Sequence, residues 1–150
     1  MAEVVTLDTS AFLTLTGDEP GADTVQQLVM DALAGKIVLH AAFVMLAEIE
    51  YITLREEGED AARRRLADVK TLPVHWHHSD DEWCAAAAKL KAKNAMSLAD
   101  AFVAALARRL HATLVHKDPE FAVLGPTVKQ QMLPPKVGLA LLKGRPKAAK

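Results

Sequence analysis

The sequence predicts an α/β fold in which a central parallel sheet of about five strands carries helices on both faces. Short runs of β-branched and apolar residues alternate with longer segments of helical periodicity. Strands that alternate with helices imply βαβ crossovers, which make the strands parallel. The chain has 150 residues and is 51% hydrophobic, enough for one domain with one core. We assign residues 1–133 to this domain and residues 134–150 to a basic tail.

The first half of the domain is expected to begin with a strand that ends at Asp8. Pro20 suits the first turn of a helix, Gly35 and Gly58 suit helix ends, and Arg63–Arg65 are expected on an exposed helix side. The expected elements are strand one (Glu3–Leu7), a short helix or turn (Thr9–Thr16), a helix to about Ala34, strand two (Lys36–His40), and helices Ala41–Glu57 and Glu59–Lys70.

The second half is expected to contain two helices between three strands. Ser79-Asp80-Asp81-Glu82 has the pattern of a capping box, and Ser97 stands three residues before Asp100 at a second helix start. The expected elements are strand three (Pro73–Trp76), a helix to about Lys93, a helix from Ser97 to about His111, strand four (Ala112–His116), a turn or short helix from Asp118, and strand five (Val128–Met132).

The charge is unevenly distributed. The formal net charge is −1, but residues 134–150 hold five lysines or arginines and no acid, so residues 1–133 carry about −6. An acidic body attracts nucleic acid poorly unless local basic patches, the tail or metal ions offset it. We expect the last residues of the tail to be disordered, and the rest of it can contact RNA or a protein partner.

The composition also limits the location of the protein. A single cysteine, Cys84, cannot form an internal disulfide or a cysteine zinc site. No apolar run approaches the about 20 residues of a membrane span, and the start of the chain lacks the pattern of a signal peptide. We therefore expect a cytoplasmic protein with no membrane contact.

Four acids can converge at one edge of the predicted sheet. If the strand order is 3-2-1-4-5, strands one and four are neighbours, and ligands of such sheets bind at this switch point, outside the carboxyl ends of the strands. Asp8 ends strand one, and Asp118 follows strand four. Asp100 lies in the first turn of its helix, and Glu48 lies about two turns into its own, roughly 10 Å from its start.

Converging carboxylates raise one another's pKa, and hard divalent cations relieve that cost. Mg²⁺ and Mn²⁺ prefer oxygen ligands, and they can activate water and stabilise phosphate oxygens. Each acid also has a structural explanation, because Asp8, Asp100 and Asp118 can act as helix caps or favour a helix start. Glu48 lies among apolar neighbours, but Glu50 is nearly as well placed, and spacing does not choose between them.

At these positions the sequence resembles the PIN-domain nucleases, and its small size resembles the VapC toxins of toxin–antitoxin pairs. The similarity covers nearly residues 1–133, and the segments around Asp8 and Asp100 are the more specific. Four segments carry it in chain order: 5–13 (VTLDTSAFL), 46–49 (LAEI), 97–107 (SLADAFVAALA) and 114–121 (LVHKDPEF).

The resemblance implies a three-layer fold with sheet order 3-2-1-4-5 and an endoribonuclease that depends on Mg²⁺ or Mn²⁺. It also implies a homodimer and inhibition by a cognate antitoxin. By position, the metal-binding catalytic acids would be Asp8, Glu48, Asp100 and Asp118. Ser10 and Ser97 would orient carboxylates or water. His116 stands where the family more often has a small hydroxyl residue, so any assisting hydrogen bond there is in doubt.

Two other functions remain open at this stage. A phosphatase or phosphotransfer domain would use Asp8 as nucleophile, but such sites usually place a second acid two residues later, where this chain has Ser10. A non-catalytic binding module would keep the fold and use the acids only as caps.

Three surface features also allow two interpretations. His75 and His77 share a face of a strand and permit two metal ligands, but the spacing fixes no third ligand, and we favour a strand end at the surface. Arg63–Arg65 and Arg108-Arg109 can hold RNA phosphates or face solvent. The helix Ala41–Tyr51 is apolar on more than one face, which burial and a dimer interface can both explain.

Overall fold

A computed structural model describes residues 2–135 of the chain. Within these residues the fold has five strands, six α-helices and one 3₁₀ helix. In chain order the elements are β1 (Glu3–Leu7), α1 (Thr9–Thr16), α2 (Ala22–Leu33), β2 (Ile37–Ala42), α3 (Val44–Glu57), α4 (Glu59–Lys70), β3 (Val74–His77), α5 (Asp81–Lys93), α6 (Leu98–Leu110), β4 (Thr113–His116), the 3₁₀ helix (Pro119–Thr127) and β5 (Lys129–Met132).

The five strands form one sheet in the order β3-β2-β1-β4-β5, and every neighbouring pair is parallel. Both the order and the parallel pairing confirm the expectation from the sequence. Helix α6 packs against β1, β2 and β4, and α5 packs against α6. Helices α1 and α2 pack against strands of the sheet from the other face. The switch in strand order falls between β1 and β4, so the carboxyl ends of these strands border one crevice.

The core is built on these layers from buried aliphatic and aromatic side chains. Trp83 of α5 is 1% exposed, makes edge-to-face contacts with Phe43 and Phe102, and donates its indole N–H to the Phe102 carbonyl at 2.9 Å. On the other face, Phe12 of α1 stacks on Trp76 of β3 with ring centres 5.3 Å apart. These contacts fix α1 and α6, the helices that begin at the carboxyl edge of the sheet.

The boundary between β2 and α3 differs from the expectation. Ala41 and Ala42 belong to β2 rather than to the following helix, because they pair with Trp76 and His77 of β3. Helical propensity favours alanine in a helix, but the pairing with the edge strand outweighs it. As a result α3 begins at Val44, and Glu48 lies one turn into the helix instead of two.

Two local expectations were also wrong. The cap of α5 is Asp80, not Ser79, because the Asp80 carboxylate accepts the Trp83 backbone N–H at 2.8 Å. In the arginine run, Arg65 is half-buried and pairs with Glu57, so only Arg63 and Arg64 are exposed.

None of the helices within residues 2–135 is long and apolar enough to cross a bilayer. The basic tail predicted for residues 134–150 lies almost wholly outside the described residues.

Candidate metal centre

Asp8 is held rigidly at the end of β1. Its backbone N–H continues the sheet by donating to the Val115 carbonyl at 3.1 Å, and its side chain is the N-cap of α1. One carboxylate oxygen, Oδ2, accepts both the Ser10 backbone N–H at 3.1 Å and the Ser10 hydroxyl at 2.5 Å. Asp8 is only 4% exposed. Asp8 therefore caps α1, which is one of the structural roles that the sequence allows for it.

Ser10 connects this acid to the segment after β4. Its hydroxyl donates to Asp8 and accepts the Lys117 backbone N–H at 2.9 Å. Since one hydroxyl satisfies both sides, it fixes the distance between the two chain segments that carry Asp8 and Asp118. Ser10 thus orients the Asp8 carboxylate.

Asp118 caps the 3₁₀ helix by accepting the Glu120 backbone N–H at 2.9 Å. Its own backbone N–H donates to His116 Nδ1 at 3.1 Å, and His116 Nε2 lies 2.9 Å from Gln130 Oε1. Because Nδ1 accepts, the proton of the neutral ring is on Nε2 and is donated to Gln130. His116 is 2% exposed, and it accepts a hydrogen bond from the Asp118 backbone although the family more often has a small hydroxyl residue at this position.

Asp100 enters the crevice from the first turn of α6. Ser97 is the N-cap of this helix, and its hydroxyl accepts the Asp100 backbone N–H at 3.0 Å. Asp100 is therefore not the cap, and its side chain is 7% exposed. A buried acid without a capping duty needs another partner.

Glu48 projects from α3 and accepts the Thr9 hydroxyl at 2.9 Å. Thr9 is a buried residue beside Asp8 that the sequence analysis did not single out. Glu50, the alternative to Glu48, is exposed and borders a groove between α3 and α4. The structure therefore brings Glu48 to the site and leaves Glu50 away from it.

The electrostatic interactions show that these acids share one crevice. Burial, followed by the charges of Asp8 and other acids and a hydrogen bond with Glu120, raises the pKa of Asp100 to about 8. Burial raises the pKa of Asp8, and the Asp118 charge adds to this. Burial also raises the pKa of Glu48, with further contributions from Asp8 and Asp118. The charge of Asp118 therefore contributes to the raised pKa of all three carboxyls.

Glu120 belongs to the same cluster and was missed by the sequence analysis. Asp100, Asp118 and Glu120 each place one carboxylate oxygen within 4.8 Å of the others. Glu120 follows Asp118 by two residues, so the turn of the 3₁₀ helix brings it back over the crevice. The sequence signal that could have identified Glu120 is its position two residues after Asp118 at the start of a helix.

The donor set fits a hard divalent cation. All the converging groups are carboxylates, the preferred ligands of Mg²⁺ and Mn²⁺. The ion pairs formed within residues 2–135 involve other acids, so no lysine or arginine there neutralises the cluster. Asp8, Glu48, Asp100, Asp118 and Glu120 are consequently available to hold an ion.

Replacing the cap of α6 tests the structural part of this arrangement. We expect Ser97→Ala to lower the free energy of unfolding by about 1 kcal/mol, because the Asp100 N–H loses its acceptor. Chemical denaturation of the purified variant measures this loss. Ser79→Ala is the matched control, since Ser79 does not cap α5, and it should change stability by less than about 0.5 kcal/mol. Equal losses in the two variants would contradict the assigned cap.

The family model described as the PIN domain matches residues 5–125. No curated protein matches the chain.

Solved structures match over nearly their full length. VapBC2 from Rickettsia felis, bound to a DNA fragment from its promoter, has a TM-score of 0.70 and 16% identity, with 87% of this chain and 99% of that chain covered. VapC20 from Mycobacterium tuberculosis, a sarcin–ricin loop cleaving toxin, has a TM-score of 0.65 and 21% identity over 81% and 95% of the two chains. PAE2754 from Pyrobaculum aerophilum has a TM-score of 0.60 and 19% identity over 95% and 97%. At these identities the similarity is one of fold.

Proposed function

The chain belongs to the PIN-domain family, and from this premise we propose that it is a metal-dependent endoribonuclease that acts as the toxin of a toxin–antitoxin pair. The observation that carries the proposal is the convergence of Asp8, Glu48, Asp100 and Asp118 on one crevice, where burial and the charges of neighbouring acids raise the pKa of Asp8, Glu48 and Asp100. The helix-capping roles of Asp8 and Asp118 alone would not require this convergence. Carboxylates kept this close without a basic partner are suited to bind a divalent cation.

Asp8, Asp100, Asp118 and Glu48 would hold Mg²⁺ or Mn²⁺, with Glu120 beside them. Such an ion, when bound, lowers the pKa of water and stabilises negative charge on a phosphodiester. The protein positions its ligands through hydrogen bonds: Ser10 orients Asp8, and Thr9 orients Glu48. The raised pKa of Asp100 means that this carboxyl holds a proton near neutral pH in the metal-free protein, and a bound ion would displace it.

The partner proposals extend from the same family. Similar folds include toxin–antitoxin complexes, such as one from Klebsiella pneumoniae, and we propose a cognate antitoxin and a homodimer for this chain. Large apolar side chains are exposed on two helices, Met30 and Leu33 on α2 and Tyr51 and Leu54 on α3. Exposed apolar residues of this size are typical of protein contacts. We also propose a cytoplasmic location and a catalytic domain that ends near residue 133.

The proposal is tested by incubating purified protein with single-stranded and structured RNA and mapping the new 5′ ends. We expect cleavage with Mg²⁺ or Mn²⁺ and none with EDTA. The full chain should be purified free of antitoxin, because a bound partner can mask the site. Metal-independent cleavage, or none with either ion, would contradict the proposal, and in the second case binding of uncut RNA would favour a non-catalytic module.

Loss of Glu120 tests whether it takes part in this activity. We expect Glu120→Gln to reduce the cleavage rate about tenfold to a hundredfold, because the cluster loses one carboxylate beside Asp100 while the four acids remain. The measurement is the initial rate at saturating Mg²⁺. Glu56→Gln, a change at an exposed residue of α3, should leave the rate unchanged. A Glu120→Gln rate equal to the unmodified rate would remove Glu120 from the site.

A further inference from the structure

Three histidines lie together on the sheet, apart from the acidic crevice. His40 of β2 is the direct register partner of His75 of β3, and His77 follows two residues later. Register partners and residues two apart in a strand point to the same face, so the three rings share one surface of the sheet. β2 separates β3 from β1, the strand that leads to Asp8.

The spacing of the ring atoms suits a shared ion. His40 Nδ1 lies 2.8 Å from His77 Nε2. Two nitrogens bound to one metal at 2.0–2.1 Å are themselves separated by about 2.9–3.4 Å, so a small adjustment allows both to be ligands. The His75 ring centre lies 5.3 Å from that of His40, and the exposed His75 must change rotamer before its nitrogen lies within 4.8 Å of both other rings. An exposed side chain changes rotamer rapidly and can complete the set.

The surroundings keep these rings in the form that binds metals. Burial, helped by the charges of His77 and His75, lowers the pKa of His40 to about 4, so its nitrogen is unprotonated at neutral pH. Burial, followed by the charge of Arg109, also lowers the pKa of His77. Arg109 itself is paired with Asp80 at 2.8 Å, which offsets part of its repulsion of a cation.

We propose that His40, His75 and His77 bind a zinc-class dication that links the edge strand β3 to β2, with water as the fourth ligand. Neutral imidazoles favour Zn²⁺, Co²⁺, Ni²⁺ or Cu²⁺ over Mg²⁺, so the site differs in ion class from the carboxylate cluster. β3 has only four residues and is a sheet edge, so a metal link there stabilises the strand. The proposal does not depend on nuclease activity.

Titration of the full chain with Co²⁺ tests this site, because four-coordinate Co²⁺ absorbs visible light strongly, whereas six-coordinate Co²⁺ with oxygen ligands absorbs weakly. We expect the strong bands in the unmodified protein and their loss on addition of Zn²⁺. His40→Gln and His77→Gln should weaken Co²⁺ binding more than about a hundredfold, since losing even an outer partner of a ligand costs 10–100-fold. His75→Gln should weaken it as well.

Two controls separate the site from its surroundings and from the acidic crevice. His78 faces the ring of Phe43, so His78→Gln should retain the bands. Asp100→Asn should also retain them. If a histidine variant fails to fold, ¹⁵N imidazole spectra of the unmodified protein with Zn²⁺ decide, with shifts expected at the three histidines. Absence of these shifts, absence of strong Co²⁺ bands, or bands lost in Asp100→Asn would overturn the proposal.

Discussion

Replacing Asp8 with asparagine should reduce RNA cleavage at least about a thousandfold while leaving the fold intact. A lost ligand removes several kcal/mol of charge stabilisation, and each 1.36 kcal/mol changes the rate tenfold. Asparagine caps helices as well as aspartate does, so it can still accept the Ser10 donors. The measurement is the cleavage rate of a defined RNA under Mg²⁺ or Mn²⁺, with circular dichroism as the check on folding.

Asp80→Asn is the matched control for this change. Asp80 also caps a helix with its carboxylate, but it serves α5 and pairs with Arg109, away from the crevice. The control should cleave RNA at the unmodified rate. A well-folded Asp8→Asn variant that retains full activity would contradict the assigned site, and equal losses in both variants would reduce the role of Asp8 to capping.

Replacing Asp100 with asparagine should change how the stability of the metal-free protein depends on pH. In the folded protein Asp100 holds its proton up to a pKa of about 8, whereas its ordinary value is 3.8. The unfolded chain therefore binds fewer protons between these values, and stability falls as pH rises from about 4 to 8. Asparagine removes this titration, so the variant should be more stable near pH 8, by an amount on the order of 2 kcal/mol.

Urea unfolding in EDTA at about pH 5 and pH 8 measures this effect. The slope should be smaller in Asp100→Asn but not zero, because burial also raises the pKa of Asp8 and Glu48. Asp60→Asn, at an exposed acid paired with Arg63, should keep the slope of the unmodified protein. An unchanged slope in Asp100→Asn would show that Asp100 is ionised in the metal-free protein. The same variant should lose RNA cleavage, because it lacks one of the acids that would hold the ion. Its stability and its activity should therefore change in opposite directions.

The alternation of strands and helices predicted the layers and the parallel pairing, because it leaves few topologies, whereas the sheet order came from the family resemblance. The boundary at Ala41 and Ala42 could not be predicted, since alanine favours helices and only the pairing with β3 places it in a strand. The cap of α5 was missed for a similar reason. Ser79 and Asp80 both suit an N-cap, and backbone geometry decides between them.

The sequence and the family resemblance led to the four acids and to Ser10, but not to Thr9, the hydrogen-bond partner of Glu48. Glu48 and Glu50 are indistinguishable by spacing, and only the direction of the helix face places Glu48 next to Thr9. Glu120 is an acid, which is a residue type expected at any helix start, so only the three-dimensional structure shows that it lies near Asp100. The pair His40 and His77 depends on strand register, which local sequence does not specify.

Calorimetric titration of the full chain with Mn²⁺, in two buffers of different ionisation enthalpy near pH 6.5, tests the central assignment most directly. The raised pKa of Asp100 means that metal binding must displace protons from the acidic cluster. We expect Mn²⁺ to bind with release of about one proton, and binding should be strongly weakened in Asp8→Asn and unchanged in Asp80→Asn. Absence of Mn²⁺ binding, or binding that is equally strong in Asp8→Asn, would contradict a metal centre built on these acids.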